Sequence, residues 1–260
     1  MRIATWNVNS LAVRLPHLLD WLKTQSPDVI CLQETKLVDD KFPHEALTEA
    51  GYQLHWFGQR TYNGVALLSK TPVIDVVKNI PGHVDEQARV ITGTIAGSNG
   101  DIRIIGAYIP NGQAVGSDKF AYKMAWLQAL RNWIATELPR YPKLVLVGDF
   151  NIAPEDRDVY DPLAWKGQVL CSPEERAHFK GLVDLGLHDS FRLFEQPPKS
   201  WSWWDYRMLA FRKNQGLRID HVMVSDALKP LVTACTIDKA PRKLERPSDH
   251  APVFVDLREG

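Results

Sequence analysis

The sequence is poor in cysteine: Cys31, Cys171 and Cys235 are odd in number and share no CxxC spacing. That excludes a disulfide framework and a cysteine-rich zinc site, and predicts buried free thiols in a reducing compartment. The start, "MRIATWNVNS", has no apolar run followed by small residues, and no window approaches the length of a membrane span. A cytoplasmic protein without membrane contact is expected. Also missing are the GxSxG elbow, the Walker A loop, GxGxxG, HExxH and any Cys/His cluster. Serine-hydrolase, P-loop, dinucleotide-binding and zinc-site chemistries lose their usual signatures with them. Net charge is absent too, with 31 Lys and Arg against 31 Asp and Glu.

What is present is ordinary globular material, with 45% hydrophobic and 24% charged residues, enough at this length for a large core. No linker, repeat or composition break appears, so a single domain over 1–260 is expected. Charge is unevenly spread. Lys199, Arg207, Arg212, Lys213 and Arg218 face only Asp205, and Lys239, Arg242, Lys243 and Arg246 face only Glu245. Between 149 and 161 the balance inverts, with Asp149, Glu155, Asp156, Asp158 and Asp161 against Arg157. Any one such cluster is ordinary solvated surface; two basic segments flanking an acidic one also suit a polyanion that needs a metal.

Short apolar runs predict strands at 2–6, 28–33, 64–69, 88–95, 101–109, 143–148, 220–225 and 251–257. Helical spacing predicts helices at 15–25, at 117–138 behind a Ser-Asp cap, and at 172–187 behind Ser172 and Pro173. Strands dominate, and "SNG" (98–100) is a hairpin-length connection. The pattern predicts an α/β (α+β) fold of mixed, largely antiparallel sheets with helices outside. The 150–216 region, rich in Pro and Trp, reads as long loops.

Polar residues gather where these strands end. "RIATWNVN" delivers Asn7 and Asn9, "DVICLQE" Gln33 and Glu34, and "IIGAYIPN" Tyr108 and Asn111. "LVLVGDFN" delivers Asp149 and Asn151, "GLRIDH" Asp220, and "RPSDHAP" Asp249 and His250. One strand-end carboxylate is more often a cap or turn residue than a catalyst. Six ends carrying such groups suggest a crevice at the strand termini. Oxygen donors favour Mg²⁺ or Mn²⁺, and a base, a hard metal and a histidine suit hydrolysis of a phosphate ester.

Taken together, "TWNVNSL", "LQETK", "GVALLS", "VGDFNIAP", "GLRIDH" and "RPSDHAP" resemble the exonuclease III family of abasic-site endonucleases. That family lies within the endonuclease/exonuclease/phosphatase superfamily, and the likeness runs in order from Met1 to about Leu257. It implies a four-layer α/β sandwich of two mixed sheets flanked by helices. It further implies an Mg²⁺-dependent DNA-repair phosphodiesterase, with Mn²⁺ able to substitute. Such an enzyme cuts 5′ to abasic sites and removes blocking groups or nucleotides from 3′ ends.

By the same resemblance Glu34 is the principal metal ligand, with Asn7, Asp249, Asp149 and Asn151 at or near the ion. Asp149 activates the attacking water that Asn151 positions, and Asn7 belongs to the catalytic group. His250 meets a non-bridging phosphate oxygen, held by Asp220 rather than by adjacent Asp249. Tyr108 and Asn111 contact phosphate. The segment "WSWWDYR" and the basic residues after it, Arg207 and Arg218 among them, are implied to touch DNA. Trp203, Leu217 and Ile219 would wall a pocket for an extruded abasic sugar. For a single Trp, core packing is the plainer reading.

The implied partner is double-stranded DNA with abasic sites or damaged 3′ ends, met by a monomer in a bacterial-type cytosol beside the nucleoid. Two departures stand out: "VYDPLAWKGQVLCS" (159–172) matches poorly, and Gln113 stands near where relatives place an arginine. The rival readings are a phosphatase or phosphodiesterase for a small phosphate ester, and a catalytically silent nucleic-acid-binding regulator.

Overall fold

The apolar runs become the centres of two β-sheets in the computed structural model, which describes residues 1–258. Arg2–Asn7 (β1), Val29–Gln33 (β2), Gln53–Phe57 (β3) and Val65–Ser69 (β4) come first. Helix Leu11–Gln25 (α1) joins β1 to β2, and His44–Glu49 (α2) precedes β3. Val73–Lys78 (β5), Val90–Ile95 (β6), Ile102–Tyr108 (β7) and Leu144–Asp149 (β8) follow, with Asp118–Glu137 (α3) between the last two. Pro173–Asp184 (α4) leads to Leu187–Asp189 (β9), Asp220–Ser225 (β10), Val232–Ile237 (β11) and Val253–Leu257 (β12).

The first sheet has the order β11-β12-β1-β2-β4-β3 and the second β5-β6-β7-β8-β10-β9. Only β1–β2 and β7–β8 are parallel among the pairs of the described residues. Each of these pairs is joined by a helix, as a parallel connection requires. The expected mixed, largely antiparallel architecture is therefore present, as four layers. Ile3, Val29, Cys31, Val65 and Leu67 of the first sheet meet Ile91, Ile104, Val145, Val147 and Val222 of the second. Outside the first sheet Leu18, Trp21 and Leu22 of α1 pack on Ala4, Ile30 and Leu68. Outside the second, Trp126, Leu130 and Ile134 of α3 and Phe179 of α4 pack on Ile105 and Leu146. The strands buried on both faces read as unbroken apolar runs for that reason.

Helix α4 starts as its sequence predicts: Ser172 Oγ accepts from Glu175 N while the Glu175 carboxylate accepts from Ser172 N, with Pro173 in the first turn. It stops at Asp184, short of the expected 187, because Gly186 takes φ +99° and Leu187 enters β9. Helix α1 begins at Leu11, four residues earlier than expected, and carries Pro16 inside it. A proline normally marks a first turn, which is why the sequence placed the start too late. Strands β3, β5, β9 and β11 and helix α2 were not foreseen. β3 and β5 are sheet edges, and β5 leaves Asp75, Val76 and Ile74 exposed, so no apolar alternation announces it. All three cysteines are free and buried, as expected. Among the described residues no helix is long and apolar enough to cross a membrane.

Candidate active site

Strand register brings the polar strand ends together at one rim. In the first sheet Asn7 lies opposite Gln33, so the next residue, Glu34, projects beside Asn7. In the second, Tyr108 lies opposite Asp149, and Asp149 opposite Asp220. The loop before β12 folds over this rim and adds His250. It is held by Ser248, whose Oγ donates to the Asn7 carbonyl (2.6 Å), and by Trp6 Nε1, which donates to the His250 carbonyl (3.2 Å). Glu34 and Asn151 both take positive φ, +52° and +50°. Left-handed backbone is uncommon outside glycine and gathers where a site over-determines it.

Glu34, Asp149 and His250 each bring a ligand-type atom within 4.8 Å of the others. Asn7 Nδ2 donates to Glu34 Oε2 (2.6 Å) and to Asp149 Oδ2 (2.9 Å), bridging the two carboxylates. Its amide oxygen is turned away to accept from Asn9 N (3.0 Å). Asn7 thus bridges the two carboxylates from beside the cluster that was expected to hold the ion. His250 Nδ1 faces Asp220 Oδ2 at 2.9 Å, while its Nε2 points to Asp149 Oδ2 at 3.6 Å. The pairing is therefore with distant Asp220 and not with Asp249. Asp249 turns the other way, accepting from Asn9 Nδ2 (3.0 Å) and Trp203 Nε1 (3.0 Å), outside the Glu34–Asp149–His250 cluster.

Burial sets the charge states here. It works against a charged His250, but Asp220, Asp149 and Asp249 overturn it and raise the imidazole to about 10. Burial also pushes the Asp149 carboxyl up to about 7, with Asp220 and Glu34 adding to the rise and His250 and Asn7 opposing it. A cation between Glu34 and Asp149 would draw that proton off. The Tyr108 phenol is pushed well above its usual value by burial and then by Glu34 and Asp149, so it stays a donor. The Arg89 guanidinium lies over its ring at 4.8 Å.

Asn151 has less freedom than expected: its Nδ2 donates to the Ile109 carbonyl (2.9 Å) and its Oδ1 accepts from Asn111 Nδ2 (3.3 Å). Asn111 is exposed beside it. The donor set facing the cluster is carboxylate oxygen, which fits a hard divalent ion better than zinc. His250, cationic and tied to Asp220, does not fit as a ligand.

The expected DNA-contacting residues divide. Trp203 is half-buried beside His250, to which it is bridged. Arg207 is exposed and, among the described residues, salt-bridged to Asp205 alone. Arg218 is a correction: it is 1% exposed, with Nε on Asp158 (2.7 Å) and Nη2 on Asp189 (2.7 Å), and belongs to the interior. Leu217 and Ile219 are each 1% exposed and packed with Leu170 and Val159 against Trp203. Leu170 itself has φ +76°, a strained backbone for a bulky side chain.

Sequence reasoning missed the supports. Lys123, fully buried in α3, is ion-paired with Glu175 and donates to the carbonyls of Asn111 (3.1 Å) and Asn151 (2.7 Å). Arg242 Nη1 donates to the Ser248 carbonyl (2.7 Å). Lys36 Nζ donates to Asn9 Oδ1 (2.7 Å) and lies 3.5 Å from Glu34. Nothing in one sequence separates a buried lysine from the exposed ones beside it.

The profile of the endonuclease/exonuclease/phosphatase family matches residues 4–250. An exodeoxyribonuclease III of Haemophilus influenzae is 35% identical, over 99% of this chain and all of its own. Among solved structures, a Neisseria 3′ phosphatase bound to product DNA hairpin superposes with TM-score 0.96 at 46% identity, covering 99% of each chain. An AP endonuclease from Archaeoglobus fulgidus gives 0.93 at 33% identity, again over 99% of each chain.

Proposed function

Because the chain belongs to the endonuclease/exonuclease/phosphatase family, we propose that its rim site hydrolyses phosphate esters at DNA 3′ ends and, less readily, at abasic sites. The chain is a hydrolytic nuclease of DNA repair. The observation that carries the site assignment is the convergence of Glu34, Asp149 and His250 from three distant segments.

Glu34 and Asp149 would hold one Mg²⁺, with Mn²⁺ as substitute, and Asp249 stands at the outer edge of the same face. A bound divalent ion supplies Lewis-acid stabilisation of charge on the phosphate. The rest is done by the chain. Asp149 takes the proton of the attacking water. His250, kept cationic by Asp220, donates to a non-bridging oxygen, and the Tyr108 hydroxyl donates to a second oxygen or the leaving group. Asn151 and Asn111 fix the rim against which the phosphate rests.

The preference for 3′ ends is supported by Leu170, which packs with Leu217 and Ile219 against Trp203 in a closed apolar cluster. The DNA-bound Neisseria relative is by its own description a 3′ phosphatase. Residues 1–260 would form one catalytic domain, acting as a monomer on duplex DNA in the cytoplasm, beside the nucleoid.

The test compares three labelled duplexes, with a 3′-phosphate, a recessed 3′ end and an internal tetrahydrofuran, each with Mg²⁺ and with EDTA. Mg²⁺-dependent removal from the 3′ ends that exceeds internal incision is expected. No cleavage of any of them by folded protein would end the proposal, and incision of the tetrahydrofuran as fast as 3′ trimming would end the preference.

A further inference from the structure

Arg157, Arg192 and Lys199 come from separate segments yet line one cleft of about 420 Å³, together with Tyr160 and Trp201. None of the three belongs to the site described above. Their pairing is incomplete. Arg192 gives one Nη to Asp158, but Asp158 is shared with Arg218 and with the backbone N–H of Glu155. Arg192 Nε is buried without a hydrogen-bond partner among the described residues. Among the described residues Arg157 pairs only with Glu155, and both side chains are more than half exposed, 59% and 51%. Such a rim pair is weak in water and readily exchanged. Lys199 is exposed and meets no carboxylate among the described residues; its backbone is left-handed, φ +57°.

The cleft is tied to the catalytic rim by a ladder of bridges. His250 pairs with Trp203, Trp203 with Leu217, and Leu217 with Val159, which borders the cleft. Three strand spacings make about 14 Å. A duplex rises about 3.4 Å per base pair, so a duplex laid along this ladder would span about four base pairs between His250 and the cleft. An anion there would replace Glu155 on Arg157 and give Lys199 a counter-charge. Arginine forks suit phosphate, and contacts of this kind position the duplex without reading bases.

We propose that Arg157, Arg192 and Lys199 form a backbone-phosphate subsite for duplex DNA on the Trp203 side of the cut. It rests on the nuclease reading. It extends the footprint beyond the residues that do the chemistry, and it should act only on substrates long enough to reach it.

The test uses an R157E/K199E double variant, both positions being exposed and outside the catalytic rim. Fluorescent duplexes carry one tetrahydrofuran and either about 3 or about 10 base pairs on its 3′ side, bracketing the four-pair span. Binding is measured in EDTA and cleavage in Mg²⁺. Wild-type protein is expected to bind the longer duplex more tightly. The variant should lose on the order of tenfold on the longer duplex alone, with the slope of log affinity against log salt falling by about 2. Cleavage of the short duplex should be unchanged. Equal loss on both lengths, or none on the longer, overturns the subsite. Thermal protection of wild-type but not variant protein by inorganic phosphate, with no length effect, assigns the cleft to a free anion and also overturns it. Wild-type protein that cuts neither duplex and also fails to trim a recessed 3′ end counts instead against the nuclease reading.

Discussion

Each sheet holds one parallel strand pair closed by a helix, β1–α1–β2 in the first and β7–α3–β8 in the second, and both pairs end at the same rim. The first pair delivers Asn7 and Glu34; the second delivers Tyr108 and Asp149, with Asp220 alongside. Their surroundings differ. Glu34 keeps 18% of its side chain open and has Lys36 nearby, whereas Asp149, Asp220 and His250 keep 5% or less. Charge in the open half can exchange with ions from solvent. Charge in the closed half must be settled internally, by sharing protons and hydrogen bonds. Similar strand geometry thus gives an open half around Glu34 and a closed half around Asp149, Asp220 and His250.

Three experiments can break or refine that division. The largest effect is expected from Asp149→Asn, which should retain DNA binding while cleavage falls at least ~10²-fold, the range for a lost general base. No concentration of Mg²⁺ should restore it, and near-normal turnover would falsify the assignment of the base. Glu34→Gln should lose about 10–100-fold at low Mg²⁺, as changes around a metal do, and recover much of that at high Mg²⁺ or Mn²⁺. If Glu34→Gln fails to respond to metal while Asp149→Asn responds, the two halves have been assigned the wrong way round.

The smallest effect concerns stability. His221 in β10 accepts from Arg218 and faces the Ile152 carbonyl (2.8 Å); burial, then Arg218, lowers it to about 4. It stays neutral in the folded chain while the unfolded chain takes up a proton below about pH 6.5. The contribution of His221 to stability should therefore be complete above pH 6.5 and fall by on the order of 3 kcal/mol as the pH drops towards 4. Denaturant midpoints at pH 7, 6 and 5 would measure it. A His221→Gln variant, weaker at neutral pH, should have a flatter slope over that range; an unchanged slope would move the acid sensitivity elsewhere.

Legibility followed burial and sequence distance. β8 could be read because all six of its residues are buried and its run is apolar, whereas β5 could not, being an exposed edge. Glu34, Asp149 and His250 were found through strand-end placement and motif likeness. The bond from His250 to Asp220 spans 30 residues and came from the likeness alone, since spacing favours Asp249. Arg218 misled because a basic run predicts surface, while its partners Asp158 and Asp189 lie 60 and 29 residues away. Lys123 and Glu175 were invisible for the same reason. A buried ion pair between two helices looks in sequence like two solvated faces.

The pairing of β1 with β12 has a consequence in time. Thr5 lies opposite Val253 and Arg2 opposite Asp256, so the first strand made is flanked by the last. A chain emerging from its N-terminus can assemble β5 to β8 early, but β1 keeps an open edge until β12 arrives. His250, only three residues before β12, is delivered at the same late moment. The closing event joins ends about 250 residues apart, which makes it the slow step expected of distant β pairing. On the role proposed for His250, a chain truncated before β12 should fail to trim a recessed 3′ end in Mg²⁺.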